Sequence, residues 1–351
     1  MSIEADDAAS VAGTVQTVLG PVPASDLGRV LHHEHLLSLT PGAWLSGGGD
    51  DPALIAEDQV ERAVGALRGA RAAGVGTVVD LSPYGVVGRD ERGENVVRLQ
   101  EISRRAGVHV VTGTAVYLES FSPVWTVEAS LDDMTARFVR DAARGIAGTG
   151  VRAGVLGEQA TGLDVITAHE EKCLRAAARA HAETGLALVT HTTHGTMALE
   201  QVELLRSEGV DLARVVIGHM DTHPDTDYVR RVLDTGVHVA FDTIGKQLWD
   251  FRVEPLPADL PDGPMLKDAY HRSDVTRADR VAALVAEGYG ERVLLAQDLT
   301  GEEVSLNPGT HGVWGYGYLT GPFAAMLRER GVGEDAFETM LTTTPARLLA
   351  V

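Results

Sequence analysis

Short apolar runs recur along the chain at Val30–His35, Thr77–Leu81, His109–Tyr117, Ala153–Glu158, Leu186–His191, Val215–His219, His238–Asp242 and Val293–Asp298. They are near-continuous in Val, Leu and Ile rather than alternating, the pattern of strands buried on both faces in a parallel sheet under helices. Helical stretches separate them, among them Ile55–Ala73, Val96–Ala106, His169–Thr184 and Arg277–Glu287. The third is rich in strong helix formers and ends before Gly185, a suitable glycine for the turn beyond a helix. Gly74-Val75, Gly107-Val108, Gly185-Leu186 and Gly236-Val237 repeat the same punctuation between helix and strand. Ahead of the first strand, Val15–Val22 predicts a hairpin with Gly20-Pro21 near its turn.

Eight strands each followed by a helix predict an α/β fold of the (β/α)8 TIM-barrel type. A doubly wound open sheet with a second domain competes less well. No composition break or linker divides the chain, and no Gly-rich phosphate loop opens a helix. Residues 1–351 are therefore expected to form one domain, with 1–12 a loosely packed tail and 246–275 a long, proline-bearing loop after the seventh strand.

Composition narrows the class of partner. Of 351 residues, 44% are hydrophobic and 23% charged, which excludes a disordered chain. Fifty Asp+Glu against 30 Lys+Arg give a net charge of −20 with His neutral. Such a chain lacks the basic footprint of a nucleic-acid binder and is repelled by anionic lipid. The first ten residues carry Glu4, Asp6 and Asp7, the opposite of a signal segment, and no apolar run approaches membrane-spanning length. A cytoplasmic protein acting on a small molecule is expected, without nucleic-acid or membrane partners. The lone cysteine, Cys173, has no partner for a disulfide, which fits a reducing compartment, and it reads as a small buried side chain. Without a thiolate cluster, any metal must be held by imidazole and carboxylate.

Thirteen histidines are present, and several stand where chemistry is done. His33 and His35 end the first strand in LHHEHLL and, two residues apart, share a face. His32 and Glu34 have the opposite parity and are expected to face the helices. A lone His-x-His is more often structural than chemical. Strand four, however, ends at Glu158, strand five at His191, strand six at His219 and strand eight at Asp298. The carboxyl ends of barrel strands form the active-site face. Buried imidazoles and carboxylates gathered there without compensation would be costly, and a metal supplies the compensating charge. Four His and two carboxylates suit two divalent cations, Zn2+ first, with Mn2+, Co2+ or Fe2+ also compatible. Water shared by two such cations has its pKa lowered towards about 7, and Asp298 is placed to take its proton as it attacks.

HHEH, VTHT, IGHMD and the late QD, with GTGVRAGVLGEQ and FDTIGK, resemble the phosphotriesterase family of the amidohydrolase superfamily. The likeness runs from TVLGPV near the amino end to TTTPARLL near the carboxyl end and is strongest to the branch of phosphotriesterase homology and related proteins. It implies that His33, His35 and Asp298 hold a more buried metal and that His191 and His219 hold a more exposed one. The family's bridging carboxylated lysine aligns with Gly157, a departure; in the homology branch a glutamate in a GE motif takes its place, here Glu158. Because Glu158 is one step from the lysine position, a local bulge is expected to aim it inward. The resemblance also implies that Tyr117 points at the metals, that Lys246 holds an anionic group of the substrate, and that the chain forms a homodimer.

Other polar and aromatic residues carry weaker expectations. His194 and His223, in loops past ligand strands, contact substrate or ligands less often than they cap or face solvent. His109, His169, His181 and His238 read as structural, and Glu302-Glu303 as a solvated loop. Trp249, Phe251 and Trp125 lie in mouth loops, with Trp249 the candidate substrate contact, although loop packing is as good an explanation. Trp314, Tyr316 and Tyr318, before the amphipathic run Leu319–Arg330, read as core. Together these features predict a hydrolase with two metals that cleaves a carboxylic ester or lactone, with phosphotriesters as promiscuous substrates. The alternatives are hydrolysis of a small N-acyl amide and a non-catalytic barrel that keeps its metals to bind a ligand.

Overall fold

The computed structural model describes residues 11–38, 57–86, 89–246, 251–252, 270–271, 273–301, 303–305 and 315–351. The strands are β1 (Thr14–Thr17), β2 (Gly20–Pro23), β3 (Arg29–Glu34), β4 (Val75–Asp80), β5 (His109–Thr112) and β6 (Leu156–Thr161). They continue as β7 (Leu188–Thr192), β8 (Val215–Ile217), β9 (His238–Phe241), β10 (Phe251–Arg252), β11 (Tyr270–His271) and β12 (Val293–Leu295). β1 and β2 form the expected hairpin, with Thr17 opposite Gly20.

β3, β4 and β5 pair in parallel, as do β6, β7, β8, β9 and β12. Backbone bonds cross both seams between these groups. Gly154 donates to Thr112 O (2.9 Å) and Thr114 to Val155 O (3.1 Å), while Asp298 donates to His33 O and His35 to Leu299 O, both at 3.0 Å. The eight parallel strands thus close into a barrel, and the open-sheet alternative falls away.

Helices α1 (Glu57–Ala72), α2 (Glu94–Ala106), α3 (Leu131–Ala143), α4 (Ala168–Thr184), α5 (Ala198–Ser207), α6 (Thr226–Asp234), α7 (Asp274–Ala286) and α8 (Ala324–Glu329) follow the strands in turn. Ser130 with Asp133 and Thr167 with Glu170 make capping boxes at the starts of α3 and α4. Gly107 and Gly185 end α2 and α4 at φ of 67° and 71°, the left-handed region that glycine enters without a Cβ penalty. No helix among the described residues is long and apolar enough to cross a membrane.

Along the strands, apolar side chains alternate between two cores. Leu31, Val78, Val110, Leu156, Leu188, Ile217, Phe241 and Leu295 pack outward with the helices. Val30, Val79, Val111, Val155, Val189, Val216, Ala240 and Leu294 fill the barrel with Val15, Leu27, Leu348 and Leu349. The hairpin and the carboxyl-terminal helix Thr344–Leu349 therefore close its floor, and Thr14 and Val351 exchange backbone bonds of 3.1 and 3.0 Å. Val11 packs against this inner core, so the expected loose tail does not extend to it, while residues 1–10 lie outside the described residues.

Several strands are shorter than the hydrophobic pattern predicts. β5 stops at Thr112 rather than Tyr117, β8 at Ile217 rather than His219, and β12 at Leu295 rather than Asp298. In each case the chain leaves the ladder where polar side chains must be aimed. The loop 246–275 is not wholly irregular, because β10 and β11 pair antiparallel within it; its remaining residues before Ser273, apart from Lys246, lie outside the described residues.

Candidate metal centre

Strict alternation would turn four of the predicted ligands away from the barrel. Leu31, Leu156 and Ile217 all face the helices, so His33, Glu158 and His219, two residues further on, would follow them, and His35 would follow His33. Local backbone irregularities reverse each one. β3 shifts register against β4 between Leu31 and Glu34, and β6 shifts against β7 between Leu156 and Gln159, the second being the bulge expected at Glu158. The Gly157–Glu158 peptide is cis. His219 sits at φ 58° and Asp298 at φ 49°, left-handed conformations that non-glycine residues hold only where surrounding structure demands them.

These turns gather the six side chains. Glu158 is central: its Oε1 lies 3.3 Å from His35 Nε2, and its Oε2 lies 3.3 Å from His33 Nε2, 3.2 Å from His191 Nδ1 and 3.6 Å from His219 Nε2. Asp298 Oδ1 is 3.0 Å from His35 Nε2 and 3.6 Å from His33 Nε2. Among the described residues, His33, His35 and Asp298 form one trio able to hold a cation, Glu158, His191 and His219 another, and His33, His219 and Asp242 a third. Glu158 touches the histidines of the first two.

Around this set lies an outer ring of hydrogen bonds that sequence reasoning missed. Asp242, fully buried, receives His33 Nδ1 on Oδ2 at 2.8 Å and His219 Nδ1 on Oδ1 at 2.9 Å. Ser82 Oγ lies 3.1 Å from His35 Nδ1 and accepts from Ser38 Oγ at 2.7 Å. Fixing one ring nitrogen in this way presents the other to a metal. Asp242 ends a strand at the same rim as the other candidates, so its position was a signal; its two-sided contact was not.

The charges are strongly coupled. At His33, burial works against the charged ring, but Glu158 and Asp242 outweigh it and raise the pKa to about 9. At His35 the same opposition, with Asp298 and Glu158 prevailing, gives about 10. His191 is lowered, chiefly by burial and then by the neighbouring His219. Glu158 and Asp242 stand well below ordinary carboxylates: the surrounding imidazoles overcome the burial that would raise them. Two buried carboxylates, with the partly exposed Asp298 beside them, thus attract positive charge wherever it can be found, from protons or from cations.

Tyr117 lines the same cavity, its ring 5.2 Å edge-on from His191, and burial together with Glu158 and Asp298 holds its pKa far up, so it remains a phenol able to donate. Lys246 also lines the cavity, but its Nζ is turned to Asp298 Oδ2 at 2.9 Å and Glu303 Oε2 at 3.4 Å. Glu303 is therefore a cavity residue and not a solvated loop face, because Lys246 and the Thr300 N–H hold it inward. Trp249, Glu302 and Trp314 lie outside the described residues, as does the side chain of Phe251. Trp125 packs edge-on against Tyr84 at 5.2 Å and beneath the Arg137 guanidinium, which is loop packing.

His32 corrects another expectation. It lines a small apolar cavity inside the barrel with Val79, Val155, Val189 and Leu294, because alternation from the inward Val30 places it there, and the later shift in β3 is what brings His33 to the same side. Burial lowers its pKa to about 3. Glu34 does turn from the site, and its carboxylate accepts the Gln297 and Leu299 N–H groups at 2.9 and 2.8 Å. His223 stacks on Tyr228 at 4.2 Å and His194 occupies a turn at φ 53°; neither joins the trios. His169 meets Ser122 and His181 meets Leu186 O, as structural histidines should. Tyr316 and Tyr318 are buried in the outer core.

Comparison with known proteins yields consistent matches. The phosphotriesterase family matches residues 13–349. The phosphotriesterase homology protein of Escherichia coli K12 is 33% identical over 255 residues, which cover 73% of this chain and 79% of that protein. The N-acetyltaurine hydrolase of Rattus norvegicus is 27% identical over 366 residues, covering 97% and 99%. The crystal structure of a mutant PTE-like lactonase from Deinococcus radiodurans superposes with a TM-score of 0.78 at 32% identity, covering 96% of this chain and all of that one (100%).

Proposed function

The chain belongs to the phosphotriesterase family and is a metal-dependent hydrolase, and from that premise we propose that it cleaves a carboxylic ester or lactone at a centre of two divalent metals. The observation that carries the proposal is the convergence of His33, His35, Glu158, His191, His219 and Asp298 at the carboxyl ends of the strands. The residues fit such a centre. His33 Nε2 is buried without a hydrogen bond and faces Glu158 and Asp298, and the buried carboxylates call for more positive charge than neutral imidazoles supply. His33, His35 and Asp298 would hold one cation and His191 and His219 the other, with Glu158 between them; Zn2+ suits this ligand set, as Mn2+, Co2+ and Fe2+ also can.

When bound, such metals lower the pKa of water and polarise the oxygen of the bond to be broken. The protein's own groups complete the chemistry. Asp298 accepts the proton of the attacking water and passes it to the leaving group. Its Oδ2 is held by Lys246, which keeps Oδ1 directed into the centre. Tyr117 donates a hydrogen bond to the substrate from beside His191. We take the chain to work as one domain in a cytoplasmic homodimer.

Amide hydrolysis is the second reading, favoured by the likeness to the rat N-acetyltaurine hydrolase, since the same groups serve either bond. A screen of metal-reconstituted protein against lactones, N-acyl amino acids and dialkyl aryl phosphates decides. The highest kcat/KM is expected on lactones or esters; a preference for N-acyl compounds selects the amide reading. Silence on all three classes with two metals bound would make the barrel a binding module.

A further inference from the structure

Asp242 touches a ligand of each proposed metal, and we propose that it couples the two sites by fixing both rings with one carboxylate. The inference rests on the two-metal reading above and goes beyond it. Oδ2 faces His33 Nδ1 at 2.8 Å, while Oδ1 faces His219 Nδ1 at 2.9 Å and also accepts the His219 backbone N–H at 3.0 Å. A carboxylate only accepts, so both rings must carry a proton on Nδ1, which leaves Nε2 as the nitrogen each ring gives to a bound cation. The carboxylate is in turn set from behind: the Asp242 N–H donates to Asp221 Oδ1 at 3.3 Å, and Asp221 Oδ2 accepts Arg277 Nε at 2.5 Å. Asp242, Asp221 and Arg277 are all buried, so water does not readily replace these bonds.

The polarity of these contacts makes Asp242→Asn informative. An amide offers one accepting oxygen and one donating NH2. The His219 backbone N–H reaches both oxygens, Oδ1 at 3.0 Å and Oδ2 at 3.2 Å, and the Oδ1 position also receives the His219 ring, so the amide oxygen is favoured there, where it accepts two donors and the shorter backbone bond. The NH2 then points at His33 Nδ1, which must accept, and the His33 proton moves to Nε2, where it blocks ligation. The site of His33, His35 and Asp298 fails while that of His191 and His219 survives.

The expected result is two zinc equivalents per chain for the wild type and one for Asp242→Asn, measured by elemental analysis after dialysis. Loss of an outer hydrogen-bond partner typically weakens metal binding about 10- to 100-fold, enough to read at limiting zinc. In zinc-loaded protein carrying 15N-histidine, with rings assigned through His→Gln variants, His33 and His219 should both be protonated on Nδ1 in the wild type. In Asp242→Asn the His33 proton should appear on Nε2. Two equivalents in the variant, none, or retention of the other site would overturn the coupling. The wild-type spectrum tests it even if the variant does not fold, because a proton on Nε2 of either ring refutes it. Fewer than two equivalents in the wild type would instead overturn the two-metal reading, and the coupling with it.

Discussion

Lys246 Nζ stands 2.9 Å from Asp298 Oδ2, while the other oxygen of that carboxylate meets His35 Nε2 at 3.0 Å. The ammonium therefore holds the half of Asp298 that does not face the centre. Burial opposes the Lys246 charge, but Asp298 and Glu303 outweigh it and raise its pKa. With two carboxylates already on its nitrogen, Lys246 is better placed to orient Asp298 than to bind a substrate anion, the role its family resemblance implied. Lys246→Met should lower kcat by about 10- to 100-fold with KM little changed. Steady-state kinetics on matched neutral and anionic substrates check this; a rise in KM confined to the anionic ones would restore the substrate role.

Asp298→Asn removes the proton acceptor and preserves shape. Circular dichroism should match the wild type, and turnover should fall by about 10²- to 10⁴-fold, the usual contribution of a positioned general base. Activity near that of the wild type would end the assignment.

Metal removal should be felt as stability. Glu158, Asp242 and Asp298 are grouped within one buried cluster, and a cation that binds only the folded state adds about 2.7 kcal/mol at a free concentration 100 times its Kd. Dialysis against a chelator should lower Tm, and readdition of zinc should restore it. An unchanged Tm despite loss of metal by elemental analysis would contradict that linkage.

His238 begins β9, and burial lowers its pKa to about 4, with Arg347 and Arg292 adding to the effect. Between about pH 6.5 and 4 the unfolded chain binds a proton that the folded chain refuses, so stability is full above this window and falls as pH drops through it. The loss approaches about 3 kcal/mol at its acid end. Denaturant titrations across this range should show a shallower acid decline for His238→Gln than for the wild type; parallel curves would refute the assignment.

Gly157, where the resemblance aligns the family lysine, has no room for a side chain. A Cβ at this position would lie 2.7 Å from Val189 Cβ and 2.9 Å from Val189 O, closer than side chains pack. Gly157→Ala should cost about 1–3 kcal/mol through overpacking against β7, measurable as a lower denaturation midpoint. A midpoint equal to that of the wild type would show that the strands can part at no cost.

The barrel was legible in the chain because each of its causes is local. Continuous Val and Leu runs mark strands covered on both faces, and glycine after each helix marks the return. The proposed ligands were legible because LHHEHLL, LALVTH, VVIGHMD and LLAQD place imidazole or carboxylate at the ends of those runs. Aim was not legible. A two-residue period assigns sides correctly only while the ladder is regular: it keeps His32 inside the barrel with Val30, but the shift between Leu31 and Glu34 brings His33 inward as well, so reading His33 as inward sent His32 wrongly to the helices.

Residue type and order along the chain thus determined which groups would meet at the rim, including Glu158, in the place where the resemblance to the homology branch implied a glutamate. Tertiary structure decided how they meet. The register shifts in β3 and β6 and the left-handed turns at His219 and Asp298 exist only because neighbouring strands hold them. Asp242, Ser82 and Glu303 acquire their partners across distances of 23, 47 and 57 residues, as with His219, His35 and Lys246. Hydrogen bonds between residues so far apart in the chain depend on the closed barrel, and no local pattern of hydrophobic and polar positions encodes them.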